Sequence, residues 1–99
     1  MNSRPELSVV MPAYNEEHRL EQTLTATIAW LRERDLTTEI IIVDDGSHDR
    51  TVEIANSFAA EWPNLLVLVQ KRNKGKGAAL RRGCLEARGR YVMFMDADN

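Results

Sequence analysis

Three clusters in this chain have residue types and spacing that suit chemistry rather than packing. Asp96-Ala97-Asp98 follows an apolar run at 91–95. In extended backbone alternate side chains share a face, so the two carboxylates project together and Ala97 projects away from them. Paired carboxylates at the carboxyl end of a buried strand suit a hard divalent cation that keeps its other ligands as water and phosphate oxygens. Asp44-Asp45-Gly46-Ser47 ends the β-branched run 40–43. Adjacent carboxylates point to opposite sides, so these two do not chelate one ion together. One is placed to accept a hydrogen bond from a nucleobase imide N–H while the other supports the turn through Gly46; Asp45 is the first choice for the base, with Asp44 close behind. In Lys74-Gly75-Lys76-Gly77 the glycines allow close backbone approach, the start of a helix favours an anion, and Lys76 supplies charge for a diphosphate.

A fourth group follows the first apolar run. Pro12 fixes the backbone where that strand leaves the sheet, and Tyr14 offers a flat face, either to a base or to the first helix. Glu16 either hydrogen-bonds a nucleoside or serves only the helix dipole. An isolated Asp-x-Asp is more often a turn former or helix cap than a site; the other three clusters reverse that reading.

The elements that must position these residues follow from periodicity. Residues 7–11, 40–43, 65–69 and 91–95 read as buried strands. Leu20, Leu24, Ile28 and Leu31 recur at helical spacing, with Asn15 as N-cap and Glu16 and Glu17 in the first turn. Val52, Ala55, Phe58, Ala59 and Trp62 form the stripe of a second helix, capped near Ser47 or Asp49 and stopped by Pro63. Ala79, Leu80, Gly83, Cys84 and Ala87 make a small-residue face on a third, ended by Gly89. Apolar strands alternating with amphipathic helices imply an α/β fold, a parallel sheet with helices on both faces, in the doubly wound order 3-2-1-4. Ligands bind such sheets beyond the carboxyl ends of the strands, at the switch point between strands 1 and 4. That point collects Pro12, Tyr14 and Glu16 beside Asp96 and Asp98, with Asp44 and Asp45 next along the edge.

Composition narrows the function. Ninety-nine residues, 43% of them apolar, make one modest domain. No apolar run approaches the ~18–20 residues of a membrane span, and the first residues lack the apolar core of a signal peptide. The single cysteine, Cys84, excludes an internal disulfide and is expected in the core. His18 and His48 have no partner at metal-ligand spacing and are expected on the surface. The net charge of −2 is unevenly spread, −7 over residues 1–62 and +5 over residues 63–99. No aromatic residue interrupts the basic stretch for base stacking, which argues against nucleic acid; the basic residues read as a solvated helix face, with one or two able to meet a phosphate.

The four motifs, 9–17, 43–51, 73–79 and 96–98, in this order and spacing resemble those of family-2 glycosyltransferases. Asn73-Lys74-Gly75-Lys76-Gly77 followed by Ala-Ala-Leu-Arg-Arg-Gly looks most like the dolichyl-phosphate glucosyltransferase branch, within the polyprenyl-phosphate hexosyltransferases. The resemblance implies a Rossmann-like GT-A fold, of which residues 1–99 are the nucleotide-sugar-binding N-terminal half, without the acceptor half. It implies an inverting transferase taking a hexose from a nucleotide sugar, UDP-glucose favoured over GDP-mannose, to a polyprenyl phosphate or other glycan acceptor. It also implies Mg²⁺ or Mn²⁺, bound directly by Asp98, with Asp96 on the ribose or the metal's water shell, and a general base beyond Asn99. A cytoplasmic location is expected, with the cytosolic face of a membrane open to the full-length protein and membrane contact made only through sequence outside these residues.

The alternatives are a GDP-mannose-dependent polyprenyl-phosphate mannosyltransferase and a non-catalytic nucleotide-binding module. A phosphoacceptor receiver domain would need an acidic pair after strand 1 and an aspartate after strand 3, where this chain has Pro-Ala-Tyr-Asn and Gln-Lys-Arg-Asn. A sugar nucleotidyltransferase would need a glycine-rich loop after strand 1. The Lys74–Gly77 segment matches neither a Walker A loop nor a dinucleotide-binding Gly-x-Gly-x-x-Gly.

Overall fold

The computed structural model describes residues 4–98. Four strands, β1 (Leu7–Ala13), β2 (Thr38–Asp44), β3 (Leu65–Val69) and β4 (Tyr91–Phe94), lie parallel in the order β3-β2-β1-β4. Helices α1 (Leu20–Arg32), α2 (Thr51–Ser57) and α3 (Lys76–Glu86) make the crossovers. The expected architecture and strand order therefore stand.

Strand β2 is buried along its whole length, so its run of Ile40, Ile41, Ile42 and Val43 serves both faces of the sheet. Ile40 and Ile42 pack with Met11, Leu20, Leu24, Ile28, Leu31, Ala55 and Phe58 beneath α1 and α2. Ile41 and Val43 pack with Val10 and Ala79 beneath α3. Helix α3 approaches so closely because of Gly83: a Cβ there would lie 2.4 Å from Val10 Cγ1 and 3.1 Å from Val43 Cγ2. Edge strands are less covered; Val92 and Phe94 of β4 and Leu66 and Val69 of β3 are exposed, unlike the buried strands that their composition suggested.

At the amino end of the sheet a buried polar knot fixes β4. Ser8 Oγ donates to Glu39 Oε2 at 2.5 Å, Arg88 N donates to the same oxygen at 2.6 Å, and Gly89 N donates to Ser8 Oγ at 2.8 Å. A buried carboxylate is tolerated because these donors satisfy it. Gly89 does not end α3, which stops where Ala87 turns to extended backbone (ψ 136°). Its lack of a side chain serves the contact with β1, since a Cβ would lie 2.6 Å from Ser8 N.

Three further details depart from the sequence reading. Asn15 is not the cap of α1; it sits at φ +53°, and the helix starts five residues later with Arg19 as its N-cap. Glu16 and Glu17 consequently lie in a turn before the helix. Helix α2 is short, with residues 58–61 continuing as turns; its inner face is Thr51, Ala55 and Phe58, while Val52 is half-buried and Ala59 exposed. Cys84 is exposed, because the buried stripe of α3 is confined to Ala79 and Gly83.

Candidate functional site

The carboxyl ends of β1, β2 and β4 surround one open cavity of about 380 Å³. Pro12, Tyr14 and Glu16 line one side, Asp45 and Gly75 the floor beneath α3, and Lys76, Asp96 and Asp98 the β4 side. Ala97 is buried against the core, so the carboxylates of Asp96 and Asp98 flank it on the solvent side. Of the sequence-derived candidates only Asp44 does not line this cavity.

The two adjacent aspartates divide their work. Asp44, 1% exposed, accepts from Ser47 N through Oδ2 at 2.9 Å and so closes the turn; its buried Oδ1 has no partner among the described residues. Asp45, 4% exposed, holds the loop before α3: Gln70 Nε2 (2.9 Å) and Lys74 N (2.8 Å) donate to Oδ1, and Gly75 N (2.8 Å) donates to Oδ2. A carboxylate has about four lone-pair positions, so three donors leave Asp45, which lines the cavity, one acceptor position unfilled. Gln70, buried in line with it, was not singled out by the sequence; a polar residue ending an apolar strand was the available signal.

Helix α3 starts at the cavity. Gly75 is its N-cap at φ +99° and has no side chain to occlude the first helical N–H groups. Lys76 Nζ reaches Asp96 Oδ1 at 2.6 Å, and that hydrogen bond and charge, with Asp98 adding its field, raise the Lys76 pKa above the ordinary lysine value. On the other wall Arg19 Nη2 pairs with Glu16 Oε1 at 2.7 Å and also feels Asp98. The cavity thus already draws two side-chain cations toward its carboxylates. Among the described residues no three His, Cys, Asp or Glu side chains converge as a metal cage. Asp96 and Asp98 supply two hard oxygen donors, which fits Mg²⁺ or Mn²⁺ bound mainly through water and phosphate oxygens rather than a fully protein-built site.

The β1 wall is built by interlocking two loops that sequence reasoning treated separately. Asn15 N donates to Ser47 Oγ (2.8 Å), His48 N to Asn15 Oδ1 (2.9 Å), Glu16 N to Thr51 Oγ1 (2.8 Å), Glu17 N to Asp49 Oδ2 (3.2 Å) and Arg50 N to Glu17 Oε1 (3.0 Å). Burial works to raise the Asp49 pKa, but hydrogen bonds from the Thr51 hydroxyl and from Thr51 and Glu17 N–H groups outweigh it and leave the pKa lowered. A depressed carboxylate stabilises the fold fully above its unfolded pKa of ~3.9, and the contribution is lost as pH falls through the lower folded value. Asp49→Ala is therefore expected to cost about 1 kcal/mol at neutral pH, as loss of a capping carboxylate does, with the difference from wild type vanishing in strong acid. Urea melts of both proteins across the acid range measure it; a difference independent of pH would show that the carboxylate charge is not what holds the loops.

Residues 8–99 match the family model for glycosyl transferase family 2. The chain is 48% identical over 97 residues to a dolichyl-phosphate beta-glucosyltransferase of Trichomonas vaginalis, covering 93% of this chain and 30% of that protein. It superposes on residues 1–349 of S. aureus TarS in complex with UDP with a TM-score of 0.83 and 30% identity, over 94% of this chain and 27% of that TarS fragment. A mannosyltransferase from Pyrobaculum calidifontis, in complex with GDP-Man and Mn²⁺, gives a TM-score of 0.81 and 30% identity over 97% of this chain and 28% of the neighbour. The chain thus spans less than a third of the length of each of these three chains. Motif order, sheet topology and the family match agree: the chain belongs to glycosyltransferase family 2.

Proposed function

We propose that this chain is the donor-binding part of an inverting hexosyltransferase that moves glucose from UDP-glucose to a polyprenyl phosphate at a cytosolic membrane face. The observation that carries the reading is one cavity lined together by Tyr14, Asp45, Lys76 at the start of α3, Asp96 and Asp98. The similarity to a dolichyl-phosphate beta-glucosyltransferase supports the donor and the lipid acceptor.

Each residue then has a task. Tyr14 offers its face to the base, and the free acceptor position of Asp45 takes the single imide N–H of uracil. Asp96 holds the ribose or the metal's water shell, and Lys76 exchanges Asp96 for the diphosphate. Asp98 is the direct ligand of Mg²⁺ or Mn²⁺, whose chemical contribution when bound is to neutralise charge developing on the leaving nucleoside diphosphate. Closing the β1 wall by hydrogen bonds keeps these groups in place before the donor arrives. A phosphate monoester acceptor is largely dianionic near pH ~7, so it is a nucleophile without a strong general base in this chain.

Incubating the full-length protein in membranes with labelled UDP-glucose and, separately, GDP-mannose tests both halves of the reading. Label is expected in the lipid fraction from UDP-glucose. Lipid labelled only from GDP-mannose would replace the donor, and label in no lipid from either donor would remove the acceptor.

A further inference from the structure

A second cavity lies across the same loop from the donor cavity, and its character is different. Lys71, Arg72, Lys74 and Arg82 line an open space of about 580 Å³ together with Val69 and Gln70. The loop faces both ways, since Asn73, Gly75 and Lys76 line the donor cavity while Lys74 lines this one. Among the described residues none of these four cations is in an ion pair, whereas Arg19, Arg32, Arg34, Arg50, Lys76 and Arg88 all are. Val69 is 48% exposed, and no aromatic side chain lines the cavity.

We propose that this basic face docks on the phosphate headgroups of an anionic bilayer and so sets the donor cavity beside the membrane. Four cations outside any ion pair, of which Arg82 also donates to Val69 O at 3.2 Å, suit an anionic surface, because the lysine ammoniums are hydrated point charges on flexible stems and the arginine guanidiniums fork onto phosphate oxygens. Nucleic acid is the less favoured occupant, because nothing here stacks on a base. Choosing a bilayer rests on the lipid-phosphate reading of the acceptor. It also assigns membrane contact to residues within this chain, where the sequence placed none; among the described residues no helix is long and apolar enough to cross a membrane.

The test is sedimentation of the chain with phosphatidylcholine vesicles containing about a third phosphatidylserine, against pure phosphatidylcholine. Binding is expected only to the anionic vesicles, with steep weakening as salt rises from about 0.05 to 0.5 M. Each cation near the surface is worth about fivefold, so Lys71→Gln/Arg72→Gln/Lys74→Gln should weaken binding about a hundredfold. Arg32→Gln/Arg34→Gln/Arg50→Gln makes the same change in net charge with ion-paired residues and should weaken it far less. Circular dichroism checks that both variants remain folded.

Equal loss in the two variants, or equal binding to neutral vesicles, would overturn the proposal. So would preferential capture of a single-stranded uridine oligonucleotide by the same residues. UDP binding with Mn²⁺ is measured on the same preparations. In the unsubstituted chain, no binding to anionic vesicles with UDP binding present would remove the docking surface alone, and vesicle binding without UDP binding would remove the donor reading alone.

Discussion

Asp98→Ala is expected to abolish metal-supported binding of UDP while leaving the fold intact. Asp98 is exposed and makes no hydrogen bond among the described residues, so stability has little to lose. The remaining carboxylate, Asp96, is already paired with Lys76 and is a poor sole ligand. Removing groups that merely orient metal ligands costs ~10–100-fold in affinity, so loss of a direct ligand should exceed a hundredfold. Titration calorimetry with Mn²⁺ and with EDTA reads this directly. Wild-type affinity for UDP that is the same in both conditions would eliminate the metal, and with it the role given to Asp98.

A large loss of stability from a single methyl group is expected at Gly46. Its φ is +79°, and a Cβ there would lie 2.7 Å from both Arg72 C and Asn73 N. These are backbone atoms of the loop whose N–H groups Asp45 holds, so relief requires moving that loop. Left-handed strain of about 1–2 kcal/mol and overpacking of about 1–3 kcal/mol give a loss near 2–5 kcal/mol for Gly46→Ala. For a domain of this size that lowers Tm by about eight degrees or more, at roughly 4–8 °C per kcal/mol. UDP affinity should fall too, because the loop carries Gly75 and Lys76 into the donor cavity. Gly77→Ala is the control: a Cβ there meets nothing within 4 Å, and alanine favours the helix by about 0.5–1 kcal/mol. Equal melting of the two variants would show that the Gly46 contact is not what seats the loop.

Much of the fold was legible because burial on both faces leaves little freedom in composition. Ile40 to Val43 can only be an inner strand, and the helices between such runs force parallel pairing and the observed order. Convergence of Asp96, Asp98, Lys76 and Asp45 on one cavity follows from that order, since each stands just past a strand or at the start of a helix. What could not be read was set by contacts between loops. Asn15 before two glutamates carries a capping signature, but its side chain and amide bond to His48 and Ser47 across the fold, and tertiary partners won over the local motif. Thr51 reads as polar in a helix start, yet it is fully buried because its hydroxyl donates to Asp49 and accepts from Glu16 N. Cys84 failed for a steric reason: Gly83 brings α3 so near the sheet that the buried stripe narrows and the next residue turns outward.

The central position of β1 sets the order in which the molecule can be assembled. Its partner on one side begins 31 positions later, at Thr38, whereas its partner on the other, Tyr91, begins 84 positions later. Closing the longer loop costs about 0.9 kcal/mol more in chain entropy, and slow steps in folding follow such distant pairings. Strands β1, β2 and β3 can therefore pair, and the loops around Asn15 and Asp45 can lock, before β4 arrives. The corner holding Asp96 and Asp98 is the last to be completed. A growing chain acquires the nucleoside wall first and the paired carboxylates only when β4 has joined β1, so the cavity waits on the most distant pairing of this sheet.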